Sequence, residues 1–164
     1  KSPVIGTLPF GAKFVGETHD GFIRTNGCFL HSRHVMAIGK CATDAVAVAE
    51  MFLGMPYLWG GRGEAGIDCS GLTQVALAAT GIATPRDTDM QRESVGELLP
   101  EEVPLRRGDI VSFPGHVGLM VNETLLIHAN AHWMSVVTEP LAHVVARLAP
   151  NHEKPVLNRR RLKS

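Results

Sequence analysis

The sequence predicts an α+β fold, with helices and strands in separate stretches of the chain. Three observations carry this. Helical periodicity is confined to residues 44–94, strand-like runs divided by turn residues fill residues 110–138, and the first 40 residues hold short β-branched and aromatic runs broken by glycine. Strands alternating with helices would have indicated a parallel sheet, whereas segregation indicates an antiparallel one with helices packed against it.

In chain order, Leu8-Pro9-Phe10-Gly11 reads as a turn and Lys13–Glu17 as a strand. Asp20-Gly21 is a hairpin signal followed by a returning strand at Phe22–Thr25; Asn26-Gly27 marks another turn before Cys28–Leu30. These are features of a small β-barrel, but too few strands for one that stands alone. The chain is expected to divide near Lys40, into a partial β module over 1–40 and a second domain over 41–164. Thr43 is the expected N-cap of a largely apolar helix over 44–53, which Gly54 and Pro56 stop. A second helix is predicted from Cys69 to Thr80, with Leu72, Val75, Ala76 and Ala79 at helical spacing, and a short third one from Asp87 to Ser94. Strands follow at Ile110–Phe113, His116–Val121, Thr124–Ala129 and Met134–Thr138. Pro140 suits the first turn of a helix over 140–147. Val156–Leu162 reads as a final strand, with Arg159, Arg160 and Arg161 taken as a solvated, frayed end.

Composition narrows the function. The chain has 164 residues, 45% of them hydrophobic, and 16 Lys+Arg balance 16 Asp+Glu. A neutral chain does not bind nucleic acid or anionic membrane through bulk charge. No apolar run reaches the roughly 18 residues of a membrane span. The chain opens on Lys1-Ser2-Pro3 without an initiator Met, which reads as a processed or trimmed product. Three cysteines exclude a disulfide scaffold, though Cys28 and Cys41 leave one pairing open. His31 and His34 have no second pair of ligands, so no metal or other cofactor is expected.

The chemistry concentrates around Cys69, at the point where a glycine-rich loop becomes a helix. A helix N-terminus carries unpaired N–H groups and partial positive charge; both favour a thiolate and can stabilise an oxyanion. A thiol nucleophile needs a base, and the base an orienting partner. His116 starts one predicted strand and His128 lies near the end of the next. For both rings to share a face, the strands must avoid a two-residue turn at Asn122-Glu123. The expected solution is a three-residue loop centred on a left-handed Asn122, setting His116 against His128 and Met120 against Thr124, with Val117, Leu119 and Val121 facing the core. Asn130 and His132 are the alternatives to His128. Trp59 reads as a structural wall and Arg86 as a loop residue packing near the site. Asp68 reads either as the cap of the helix or as a carboxylate for a substrate ammonium.

The blocks Tyr57-Leu58-Trp59-Gly60-Gly61, Ile67-Asp68-Cys69-Ser70-Gly71-Leu72, Gly108-Asp109-Ile110-Val111-Ser112-Phe113-Pro114-Gly115-His116-Val117-Gly118-Leu119-Met120-Val121 and Leu126-Ile127-His128-Ala129 strongly resemble the NlpC/p60 family of bacterial cell-wall cysteine peptidases, over about residues 44–148. The resemblance implies a papain-like α+β fold and cleavage of peptidoglycan stem peptides, typically at the bond from γ-D-glutamate to the diamino acid. It implies Cys69 as nucleophile, His116 as general base and His128 as the residue orienting that base, with no cofactor. Members that act on freed stem peptides receive the substrate with residues matching Tyr57, Asp68 and Ser70. Asp-Cys-Ser in place of Ser-Cys-Trp separates the chain from papain itself. Residues 1–40 resemble, more weakly, the end of a bacterial SH3-like module. Other readings are an acyltransferase or lipid amidase on the same fold, or a wall-binding module with a spent site. The compartment implied is the cell envelope or exterior if a signal was removed, and otherwise the cytoplasm. Oligomeric state is left open.

Overall fold

In the computed structural model, residues 3–163 are described; Lys1, Ser2 and Ser164, and with them the reading of the chain's first two residues, lie outside. The chain divides into two compact units, Lys1–Cys41 and Ala42–Ser164.

The first unit is a three-stranded antiparallel sheet of β1 (Glu17–His19), β2 (Phe22–Thr25) and β3 (Cys28–His31), in that order. Both turns are two-residue hairpins with positive φ at each central position: 45° and 79° at Asp20-Gly21, 46° and 77° at Asn26-Gly27. Such a turn pairs its flanking residues directly, so His19 opposes Phe22. That is why β1 begins at Glu17, not at Lys13 as the apolar run suggested. None of the unit's described residues is buried.

The second unit is built on a six-stranded antiparallel sheet. It contains β6 (Glu97–Leu98), β7 (Ile110–Phe113), β8 (His116–Met120), β9 (Leu125–Asn130), β10 (Ser135–Pro140) and β11 (Asn158–Arg161), in spatial order β10-β9-β8-β7-β11-β6. A small hairpin of β4 (Arg62–Gly63) and β5 (Gly66–Ile67) precedes the second helix. The helices are α1 (Ala45–Glu50), α2 (Cys69–Ala79), α3 (Thr88–Ser94) and α4 (Leu141–Leu148). Among the described residues no helix is long and apolar enough to cross a membrane.

The sheet is buried on both faces. Val117, Leu119, Ile127 and Ala129 join Val46, Ala49, Leu72, Val75 and Ala76 of α1 and α2 in one cluster, which is the stripe expected of β8. Val111, Phe113, Met120 and Leu126 point the other way and are covered by Leu141, Val144, Val145 and Leu148, the i, i+3, i+4, i+7 face of α4. At about 25 cal/mol per Å² of apolar surface, these two layers dominate the unit's stability.

Several local expectations change. The N-cap of α1 is Asp44, not Thr43: its Oδ1 accepts from the Val46 and Ala47 N–H groups at 2.9 and 3.3 Å. Pro140 ends β10 and serves as the N-cap position of α4 instead of its first turn. The arginine run is no frayed end. β11 sits between β7 and β6; Arg160 donates to the carbonyls of Arg92, Val95 and Gly96, and Arg161 clamps the buried Asp109 at 2.7 and 2.6 Å.

The β8–β9 connection has the right parity and a different loop. Met120 opposes Leu126 and Leu119 opposes Ile127, with the Val121 N–H bonded to the Leu125 carbonyl at 2.8 Å. The three-residue loop is therefore Asn122–Thr124, centred on Glu123, and the register is displaced by two residues from the one expected. A slip of two keeps His116 and His128 on one face, where a slip of one would have parted them. Asn122 is not left-handed; its Oδ1 instead accepts from the N–H groups of Thr124 and Leu125, each at 2.9 Å.

Candidate active site

Cys69 is the first residue of α2, and its position is set by the residue before it. Asp68 Oδ1 caps the helix by accepting from the Gly71 N–H at 2.7 Å, while Oδ2 accepts from the Gly60 N–H at 2.8 Å and so ties the glycine-rich loop to the helix start. Gly71 is required here: a Cβ would lie 2.5 Å from the Gly61 carbonyl oxygen. Arg86 completes the arrangement, pairing with both Asp68 oxygens at 2.9 and 2.6 Å and donating to Ser70 Oγ at 2.7 Å. Burial raises the Asp68 pKa, but Arg86 and the two N–H groups outweigh it and hold the carboxyl below the usual range. The carboxylate that might receive an ammonium group already carries a guanidinium.

The Cys69 side chain is buried. Its Sγ lies 3.8 Å from Thr88 Oγ1 and within hydrogen-bond reach of the N–H groups of Ser70 and Val117. Contact with Val117 brings the sulfur to the start of β8, next to His116. Burial pushes the thiol pKa up, Asp68 adds to this, and the bonds from Thr88, Val117 and Ser70 do not reverse it. The helix N-terminus therefore does not by itself produce a thiolate. Tyr57 is half-buried nearby. Burial, then the charges of Cys69 and Asp68, raise its pKa, so the phenol keeps its proton.

His116 Nε2 and His128 Nδ1 are 2.6 Å apart, the rings meeting edge to face with centroids 4.9 Å apart. Burial lowers the pKa of both. The neighbouring His128 and Arg147 lower His116 further, and Glu139 works against the shift in each ring. At neutral pH the pair is uncharged and Cys69 is a thiol.

The site thus brings Cys69 to the strand that begins with His116, sets His128 against His116, and places Tyr57, Asp68 and Ser70 around the cysteine. His132 stacks on Trp133 at a centroid distance of 4.7 Å and is exposed. Asn130, the other alternative, contacts His128 on its far nitrogen: Nδ2 lies 2.9 Å from Nε2. Trp59 is 85% exposed and is not a wall. Two residues escaped the sequence reading. Thr88 could have been noticed two positions after Arg86, at a helix start. Glu139, whose Oε1 is 2.8 Å from His128 Nε2, could not have been found without the β9–β10 register.

Comparison with known proteins agrees with this geometry. A family profile described as NlpC/P60 family matches residues 54–147. The chain is 31% identical over 126 residues to a gamma-D-glutamyl-L-lysine dipeptidyl-peptidase of Bacillus cereus, covering 72% of this chain and 37% of that one. It is 29% identical over 133 residues to dipeptidyl-peptidase 6 of Lysinibacillus sphaericus, covering 79% and 48%. Among solved structures, a NlpC/P60 family protein from Bacillus cereus superposes with a TM-score of 0.62 at 30% identity, over 85% of this chain and 46% of that one. The peptidoglycan hydrolase RipB of Mycobacterium tuberculosis gives 0.60 at 25% identity, over 73% and 63%. The chain spans less than half the length of the two peptidases.

Proposed function

The chain belongs to the NlpC/P60 family, and from that membership we propose that it is a cysteine peptidase hydrolysing peptidoglycan stem peptides at the bond from γ-D-glutamate to the diamino acid. Its papain-like α+β fold is that of the family's solved structures. The printed activity of the Bacillus cereus relative supports the bond. The observation that carries the reading is the His116–His128 contact on the strand whose Val117 N–H meets the Cys69 sulfur.

In the proposed mechanism His116 takes the Cys69 thiol proton as sulfur attacks the scissile carbonyl carbon. The backbone N–H of Cys69 and the Tyr57 hydroxyl stabilise the oxyanion. Collapse breaks the C–N bond, and His116 returns the proton to the departing amine. A water molecule then gives a proton to His116 while its oxygen attacks the thioester; the released sulfur recovers that proton. His128 holds the His116 ring, and Thr88 donates to the sulfur when it is anionic. Tyr57, Ser70 and the Arg86-paired Asp68 form the substrate-side wall. Residues 1–40 stand in this reading as the end of an SH3-like module, supported by their antiparallel sheet and paired tight turns.

The test is mass spectrometry of defined stem tripeptides and tetrapeptides incubated with the protein and with Cys69→Ala. Cleavage between D-glutamate and the diamino acid by the unaltered protein alone is expected. Intact peptides in both reactions would overturn the assignment.

A further inference from the structure

We infer that Glu139 is a positioning residue that selects the proton arrangement of the base, acting through His128 on His116. The inference rests on the reading of Cys69 and His116 as nucleophile and base. Glu139 is on β10, two residues beyond Val137, the direct partner of His128. It therefore shares the face of His128 and reaches it diagonally, as His128 reaches His116.

The order of donors and acceptors follows from one end. Glu139 Oε2 accepts from Arg147 Nη2 at 2.5 Å, and Oε1 accepts from Arg147 Nη1 at 3.1 Å and Trp133 Nε1 at 3.3 Å. A carboxylate so paired has only lone pairs to offer. Its contact with His128 Nε2 thus places a proton on that nitrogen. A neutral imidazole carries one N–H, so His128 Nδ1 presents a lone pair to His116 Nε2, 2.6 Å away. His116 must then donate from Nε2, which leaves its Nδ1 unprotonated as the atom that takes the thiol proton.

The opposite arrangement has its own sponsor. Asn130 Oδ1 accepts the Trp133 N–H at 2.8 Å, which turns the amide NH2 toward His128 Nε2 at 2.9 Å. A donor there favours a lone pair on His128 Nε2, a proton on Nδ1, and a proton on the His116 nitrogen that should act as base. Hydrogen bonds to an ionised carboxylate are about twice as strong as neutral ones. Glu139 therefore prevails over Asn130, and the base is held in its working form.

The wild-type protein answers the question directly by nitrogen-15 NMR of its histidine rings near neutral pH. Both His116 and His128 are expected as Nε2–H tautomers. A His116 Nδ1–H tautomer in a protein that cleaves stem peptides overturns the inference and leaves the peptidase reading intact; loss of the peptidase reading leaves the ring measurement unaffected. Glu139→Gln is expected to lower kcat tenfold or more with KM unchanged and to move His116 toward Nδ1–H. Adding Asn130→Asp, which supplies a carboxylate to the same nitrogen, should recover part of kcat. An unchanged kcat in Glu139→Gln, or no recovery in the double variant, counts against the proposal.

Discussion

Arg86 and Asp68 form a two-point ion pair beside the cysteine, Nη1 to Oδ1 at 2.9 Å and Nη2 to Oδ2 at 2.6 Å, with the guanidinium also bonded to Ser70. The Asp68 side chain is 11% exposed and that of Arg86 30%. Removing the cation strands a carboxylate that caps α2 and anchors the preceding loop. Arg86→Met should therefore destabilise the protein by about 1–3 kcal/mol, read from the urea midpoint at constant m. A midpoint equal to wild type would show the pair to be dispensable for holding the helix start.

The same pair limits substrate selection. A bare carboxylate beside the nucleophile would favour a free N-terminal ammonium by roughly a hundredfold in rate. Asp68 is already neutralised by Arg86, so the preference for a free over an N-acetylated tripeptide should be roughly tenfold, about 1.4 kcal/mol. Equal rates would confine Asp68 to capping, and a hundredfold difference would mean that Arg86 moves aside when substrate binds.

Substitutions in the trio should separate by role. Cys69→Ala and His116→Ala are expected to abolish turnover, because nucleophile and base act as a unit. His128→Ala should lower kcat without unfolding the protein, since Glu139 retains Arg147. Full turnover by Cys69→Ala would place the nucleophile elsewhere; circular dichroism establishes folding for each variant.

Acid should weaken the fold in a defined order. His116 and His128 have folded pKa values below the ordinary imidazole value of about 6.5, so the unfolded chain protonates first as pH falls. The stability they contribute is complete above about pH 6.5 and drains as pH drops below it, by up to about 1.4 kcal/mol per pH unit for each proton. Asp68 and Glu139, also held low, add losses only below about pH 4. Calorimetry should give a lower Tm at pH 5 than at pH 7, with a shallower drop in His116→Gln. A Tm that does not change over this interval would mean that the rings are not held neutral by burial.

Asn122 should matter through its side chain alone. Its Oδ1 accepts the N–H groups of Thr124 and Leu125 and closes the loop that sets the β8–β9 register. Asn122→Ala should cost about 1 kcal/mol, whereas Asn122→Asp, which keeps the acceptor, should stay near wild type. Equal losses in both variants would mean that the amide does more than accept these bonds.

What the sequence determined by itself was whatever depends on neighbours along the chain. The α2 helix from Cys69 is dictated by Asp68 as cap and by apolar residues at helical spacing. The strands of β7 and β8, the two tight turns of the first unit and the motif blocks around Cys69, His116 and His128 are equally local. What only the tertiary structure decided depends on register and on partners far apart in the chain. Asn122 could have closed its loop by adopting left-handed backbone or by capping with its side chain; the pairing of Met120 with Leu126 selects the second. Asp109 is separated from Arg161 by 52 residues and Asp68 from Arg86 by 18, so a carboxylate read as free and an arginine read as frayed each acquired a buried partner on folding. Glu139 was invisible for the same reason. Side-chain alternation names the face a residue takes within its own strand, but only the pairing of neighbouring strands determines which ring lies within 2.8 Å of its carboxylate.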